Sequence, residues 1–267
     1  MAFFPLCNIN KTNGSCTIHN FSPNNWEKTL SGDKNIWALF SDGNKWITKN
    51  VTNIKEGESK IIYYDDFNLE SKEEESPLII LQLRKEPLPH FLDKLPAHEF
   101  KYSSNPEWRS TVTFSYKNSQ TSYQGEINPF PQRATLLTFH PFIQYGDIEN
   151  YFAFVNLESS PKFRETKIEI YDSKSKKFID EVKVKSNTVN VIPLNKYNIK
   201  QDILPIFLCR EMAGIPFGFG INHKGPMLSL EHTHPPASFV VHGQRFNFQR
   251  QIKNKWFEIL KKDESSR

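Results

Sequence analysis

Cysteine, methionine and glycine are scarce in this chain, with 3 Cys, 3 Met and 11 Gly in 267 residues. The cysteines, Cys7, Cys16 and Cys209, are odd in number and form no Cys-x-x-Cys pair, which excludes a disulfide framework and a thiolate zinc module. Free thiols in a reducing compartment, hence a cytoplasmic protein, are the expectation. The glycines compose no Walker loop, dinucleotide fingerprint or Gly-x-Ser-x-Gly elbow. The one glycine-dense stretch, "GIPFGFGINHKG", alternates with Phe217 and Phe219 and reads as a sheet edge or bulge.

Long apolar runs are also missing. Nowhere do about 18 uncharged apolar residues follow one another, and "MAFFPLCNINKTNG" lacks a basic region before a sustained apolar one, so neither a membrane span nor a leader is expected. Sequons begin at Asn10, Asn13, Asn20 and Asn50 and are read as accidents of an Asn-rich composition. A net charge of +4 is mild and does not call for nucleic acid.

What is abundant points to strands and turns: 22 Phe and 17 Pro. In "RSTVTFSYK", Val112, Phe114 and Tyr116 share one face and Thr111, Thr113 and Ser115 the other. "ETKIEIYDS" and "DEVKVKS" alternate in the same way, and the intervening "YDSKSKKF" is the loop of a hairpin. Further strands are expected at "NIWALFS", "SKIIYYD", "PLIILQL", "RATLLTFH", "NYFAFVNL", "NTVNVIPL", "LPIFLCRE" and "MLSLEH".

The order of these pieces reads as a tandem duplication. "NIWALFSDG", "GESKIIYYDDF", "PLIILQLRKEPLP" and "SSNPEWRSTVTFS" are answered by "NYFAFVNLE", "SNTVNVIPLNKY", "LPIFLCREMAGIP" and "HTHPPASFVVHG". The expected fold is therefore mostly β: two related antiparallel sandwich or jelly-roll halves, residues 1–128 and 129–243. Residues 244–267 follow as an amphipathic basic helix and tail, with Phe248, Ile252, Trp256 and Ile259 or Leu260 on its apolar side.

Two constellations could carry function. In "NPEWRSTVTFSYKNSQTSYQGEINPF", Trp108, Arg109, Tyr123, Gln124 and Glu126 combine aromatic faces with hydroxyl-binding groups, the chemistry of carbohydrate recognition. In "SLEHTHPPASFVVHG", a strand would project His232 and His234 in the same direction, about 7 Å apart, with His242 and His140 as further ligands for a divalent first-row metal. A cupin-like jelly roll follows such a pair with a glutamate a few residues on; here that interval reads "PPASFVV".

The leading expectation is a non-enzymatic binding protein for carbohydrate or glycoconjugate. A metal-dependent jelly-roll enzyme is the alternative, and a self-associating structural subunit the third.

Overall fold

A computed structural model describes residues 3–21, 31–70, 72, 74–97, 110–140, 147–197, 199, 204–225, 227–232 and 245–260. It contains four antiparallel sheets and one C-terminal helix. Strands β1 (Phe4–Leu6), β2 (Asn13–His19), β3 (Lys34–Ser41), β4 (Trp46–Ile54), β5 (Ser59–Tyr63), β6 (Glu75–Pro77), β7 (Ile79–Arg84), β8 (Phe91–Leu92), β9 (Ser110–Tyr116) and β10 (Ser119–Gly125) come first. They are followed by β11 (Leu136–Phe139), β12 (Ile148–Val155), β13 (Glu165–Asp172), β14 (Phe178–Lys185), β15 (Thr188–Pro193), β16 (Pro205–Cys209), β17 (Ile215–Asn222), β18 (Met227–His232) and helix α1 (Arg245–Ile259).

The sheets have the orders β1-β7-β3-β4-β8, β10-β9-β2-β5, β11-β16-β13-β14 and β18-β17-β12-β15-β6. Replacing β1, β2, β3, β4, β5, β7, β9 and β10 by β11 to β18 in turn converts the first pair of sheets into the second, apart from the added edge strands β8 and β6. The two halves thus share one strand order. This correspondence keeps two of the matches read from sequence, β5 with β15 and β7 with β16. It pairs β3 with β13 rather than β12, and β9 with β17 rather than with "HTHPPASFVVHG", most of which lies outside the described residues. Strand order is a likeness of architecture and does not by itself establish a duplicated sequence.

The halves are interlocked. Strand β6, from the first half of the chain, pairs with β15 and so completes a sheet of the second. Strand β12 is buried on both faces, which explains its continuous apolar run. Phe152 and Phe154 pack in the core of the second half, whereas Tyr151, Ala153 and Val155 join the core of the first. Between halves, Phe114 meets Phe219 edge-on at 5.5 Å and Tyr123 meets Phe217 at 5.0 Å.

Two local expectations change. The stretch with alternating glycines is neither an edge nor a bulge: β17 lies between β12 and β18 in unbroken register. Gly218 leaves room for the imidazole: a Cβ there would come 3.0 Å from His140 Nδ1, so a larger residue requires the ring to shift. In α1 the docked side is Trp256, Phe257 and Leu260, which cover Tyr171, Ile206 and Leu208, while Ile252 and Ile259 are exposed. Trp256 lies edge-on to Phe139 at 5.2 Å, and Arg210 reaches the Leu260 carbonyl at 2.6 Å. Trp256 and Leu260 of the expected stripe therefore dock, joined by Phe257, whereas Ile252 and Ile259 do not. Among the described residues no helix is long and apolar enough to cross a membrane.

Candidate functional site

Alternation along β9 and β10 decides where the expected carbohydrate-binding residues go. The two strands are joined by the turn Lys117-Asn118, with Lys117 at φ 51°, a tight connection that fixes which residues stand opposite each other. Tyr123 stands opposite Val112 and turns inward, its ring against Phe217. Burial pushes its phenol well above the ordinary value. Gln124, opposite Thr111, is exposed on the other face, and Glu126 is exposed just beyond the strand end. The structure therefore separates Tyr123 from Gln124 and Glu126, and Trp108 and Arg109 lie outside the described residues.

The outward face to which Gln124 belongs extends over the whole β10-β9-β2-β5 sheet. Hydrogen-bonded register aligns Gln124, Thr111, Thr17 and Ile61 in one row across the strands. Ser122, Thr113, Ser15 and Tyr63 form the next, and Gln120, Ser115 and Asn13 the third. At the far end His19 faces Ser59, with Nδ1 2.7 Å from the serine hydroxyl, and Phe21 stacks on the imidazole at 5.6 Å.

None of the outward residues of these four strands is Asp, Glu, Lys or Arg, although 24% of the chain is charged. Phe21, Ile61 and Tyr63 are each at least half exposed. The face thus offers hydroxyl and amide donors and acceptors, spaced by the strand separation of about 4.8 Å, with an aromatic and aliphatic border. Sequence reasoning singled out Gln124 and the Thr111, Thr113, Ser115 side, and expected a strand at β5, but did not place β5 on this face and missed β2. Their contribution depends on pairing between segments distant in the chain.

The histidine cluster is only partly described. His140, fully buried after β11, lies edge-on to Phe152 at 5.1 Å and to Phe207 at 6.1 Å. It packs over Gly218, opposite Glu231, whereas position 232 stands opposite Phe217, whose side chain leaves the other face of β17. His140 is therefore on the face of β17 opposite the Phe217 side chain. His234 and His242 lie outside the described residues. Among the described residues no group of three His, Cys, Asp or Glu side chains could hold a metal ion.

Other polar groups are engaged structurally. Tyr116 lies 2.6 Å from His223 Nδ1, and His223 Nε2 lies 2.7 Å from Glu149, linking the two halves. All three cysteines are free and buried; desolvation raises the Cys209 thiol and pushes Cys7 and Cys16 up to about 12, so none is a ready nucleophile. Asn20, in one of the sequons, is fully buried and donates to Ile54 O at 3.2 Å, which leaves no room for a glycan there. No family model, curated protein or solved structure matches the chain.

Proposed function

We propose that this protein is a non-catalytic binding module for carbohydrate or glycoconjugate, with a neutral glycan lying across the outward face of the β10-β9-β2-β5 sheet. The observation that supports the reading is the composition of that face: rows of Ser, Thr, Asn and Gln without a formal charge, bordered by exposed Tyr63, Ile61 and Phe21. A sheet face that only needs solvation carries Lys and Glu as readily as Thr. A face that must exchange water for sugar hydroxyls does better with neutral donors and acceptors, whose desolvation costs less than that of charges, and with aromatic rings that stack on pyranose faces.

Gln124 and Glu126 contribute at the β10 end, and Trp108 and Arg109 precede β9 in the chain. The free buried thiols favour a reducing, cytoplasmic setting.

Titration against a panel of soluble neutral polysaccharides and glycoconjugates tests the reading. Wild type should bind at least one of them, and Tyr63→Ala with Phe21→Ala should weaken that binding by roughly tenfold, as loss of two stacking contacts implies. Thr113→Lys, a charge at the centre of the face, should weaken it further with little effect on thermal unfolding. Absence of binding across the panel, or binding indifferent to these substitutions, refutes the proposal.

A further inference from the structure

A cavity of about 310 Å³ lies against β12, β15 and the residue that precedes β6, lined chiefly by Glu74, Glu149, Tyr151, Val191, Pro193 and Asn195. That volume suits a small organic molecule. Register places the strand residues of the lining on one face of the sheet. Tyr151 stands opposite Pro193 and Ala153 opposite Val191, and Glu149 precedes Tyr151 by two residues. Glu74 continues the β15–β6 pairing past Asn190 and Glu75 to Val191, whose N–H its carbonyl accepts at 2.8 Å. Asn195 fixes the wall beyond β15: its Oδ1 accepts from Asn150 N at 2.6 Å and its Nδ2 donates to Ile148 O at 3.1 Å. The wall is therefore formed before any ligand arrives, which lowers the cost of binding.

Three features specify an occupant. The two carboxylates mark opposite ends of the cavity: Glu149 is four residues, about 13 Å, along β12 from Ala153, and Glu74 is two strand separations, about 10 Å, across from Ala153. Between them the floor is Tyr151, Val191 and Pro193, an apolar strip held by the β12–β15 pairing. Neither end is neutralised from within, because no basic side chain among the described residues lines the cavity. Glu74 is exposed, and its carboxylate is in no ion pair among the described residues. Glu149 uses one oxygen, Oε2, to accept from both the Tyr151 hydroxyl and His223 Nε2, while the Lys11 charge acts on it from outside the lining. The two hydrogen bonds hold this carboxyl below its ordinary value, so it is charged at neutral pH with Oε1 left for a ligand.

We infer that this cavity binds a linear aliphatic diammonium ion, with one ammonium on Glu149, the other on Glu74 and the methylene chain across Tyr151, Pro193 and Val191. The observations are independent of the neutral sheet face, so this site stands whether or not a glycan binds there.

Chemical-shift titration of the whole nitrogen-15-labelled protein at neutral pH tests the assignment, with 1,6-diaminohexane, hexylamine, 1,6-hexanediol and 1,3-diaminopropane as probes. The six-carbon diamine should bind about fivefold tighter than hexylamine, the contribution of one further part-exposed ion pair, and added salt should shrink that advantage. Its shifts should centre on Glu149, Val191 and Asn195. The diol, which keeps the chain and removes both charges, should bind more weakly than either amine, and 1,3-diaminopropane, too short to reach both ends, should bind no tighter than hexylamine. Glu74→Gln, a change of charge without a change of size at an exposed residue, should reduce the six-carbon diamine to the hexylamine affinity and leave hexylamine unchanged, because hexylamine holds the Glu149 end alone. If the diamine does not bind, if hexylamine or the diol binds as tightly, if 1,3-diaminopropane matches the longer diamine, or if the advantage survives Glu74→Gln, the inference is overturned.

Discussion

Tyr116→Phe should loosen the connection between the two halves by a measurable and separable amount. Tyr116 ends β9, His223 follows β17, and Glu149 lies on β12, so the Tyr116–His223 contact crosses from the first half to the second. The ionised carboxylate can only accept, so His223 Nε2–H donates to Glu149, and in the neutral ring Nδ1 is left to accept from the Tyr116 hydroxyl. The substitution removes one half-buried hydrogen bond and keeps the ring that meets the imidazole edge-on at 5.3 Å.

A loss of about 1 kcal/mol follows, or a lowering of the midpoint by roughly 2–4 °C in a chain of this size. Urea unfolding of Tyr116→Phe, His223→Gln and the double variant should give a coupling energy of about 0.5–1 kcal/mol. Coupling indistinguishable from zero would show that the hydroxyl is equally well satisfied by water and that the bridge does not hold the halves.

The same network sets an acid limb. Hydrogen bonds from Tyr151 and then His223 hold the Glu149 carboxyl below its ordinary value, so its contribution is present above the unfolded-state value and is lost as pH falls through the depressed folded one; Tyr151→Phe should reduce that acid dependence in unfolding measured between pH 3 and 6. Gly14→Ala should be strongly destabilising, by about 3 kcal/mol or to insolubility, because a Cβ on β2 would sit 1.8 Å from the Cys7 carbonyl oxygen, an immovable backbone atom; chemical denaturation against wild type reads it directly. With thiols raised to about 12 by burial, Cys7 and Cys16 should resist iodoacetamide at pH 8 in the native protein and react once it is unfolded; rapid native labelling followed by mass spectrometry would refute their burial.

Much of the fold was legible wherever alternation was strict. Segments such as "RSTVTFSYK" and "ETKIEIYDS" became strands β9 and β13, because period-2 patterning reports a sheet with one core-facing side. Strands that carry little apolar contrast were missed. In β10, "SQTSYQG", the inward residues are Ser119, Thr121, Tyr123 and Gly125, so hydroxyls stand on both faces. In β17 Gly218 makes space for His140, and a local reading takes glycine for punctuation. The candidate face was legible only in part for a different reason. Thr111, Thr113 and Ser115 advertise a polar side, but Asn13, Ser15, Thr17, Ile61 and Tyr63 join them through registers that no single segment encodes. The equivalence of β3 and β13 was equally hidden, since "NIWALFS" resembles the buried β12 in hydrophobicity and β13 only in position.

The shared strand order turns the polar face into a comparison within one molecule. The outer face of β18-β17-β12-β15 is the counterpart of the outer face of β10-β9-β2-β5, yet Phe217, Phe219, Ile221, Tyr151, Ala153 and Val155 on the former are covered by the first half. One half therefore uses this surface for docking and fills it with apolar side chains; the other leaves it outward. Were the outward face of the first half only a solvated surface, Lys and Glu would be expected there, as on β14, where Glu181, Lys183 and Lys185 occur within one strand. Instead this outward face has neither the apolar surface of an interface between halves nor the charge of an idle exterior. That intermediate composition, polar without charge and edged by exposed rings, is the reason for proposing a hydroxylated ligand on this face.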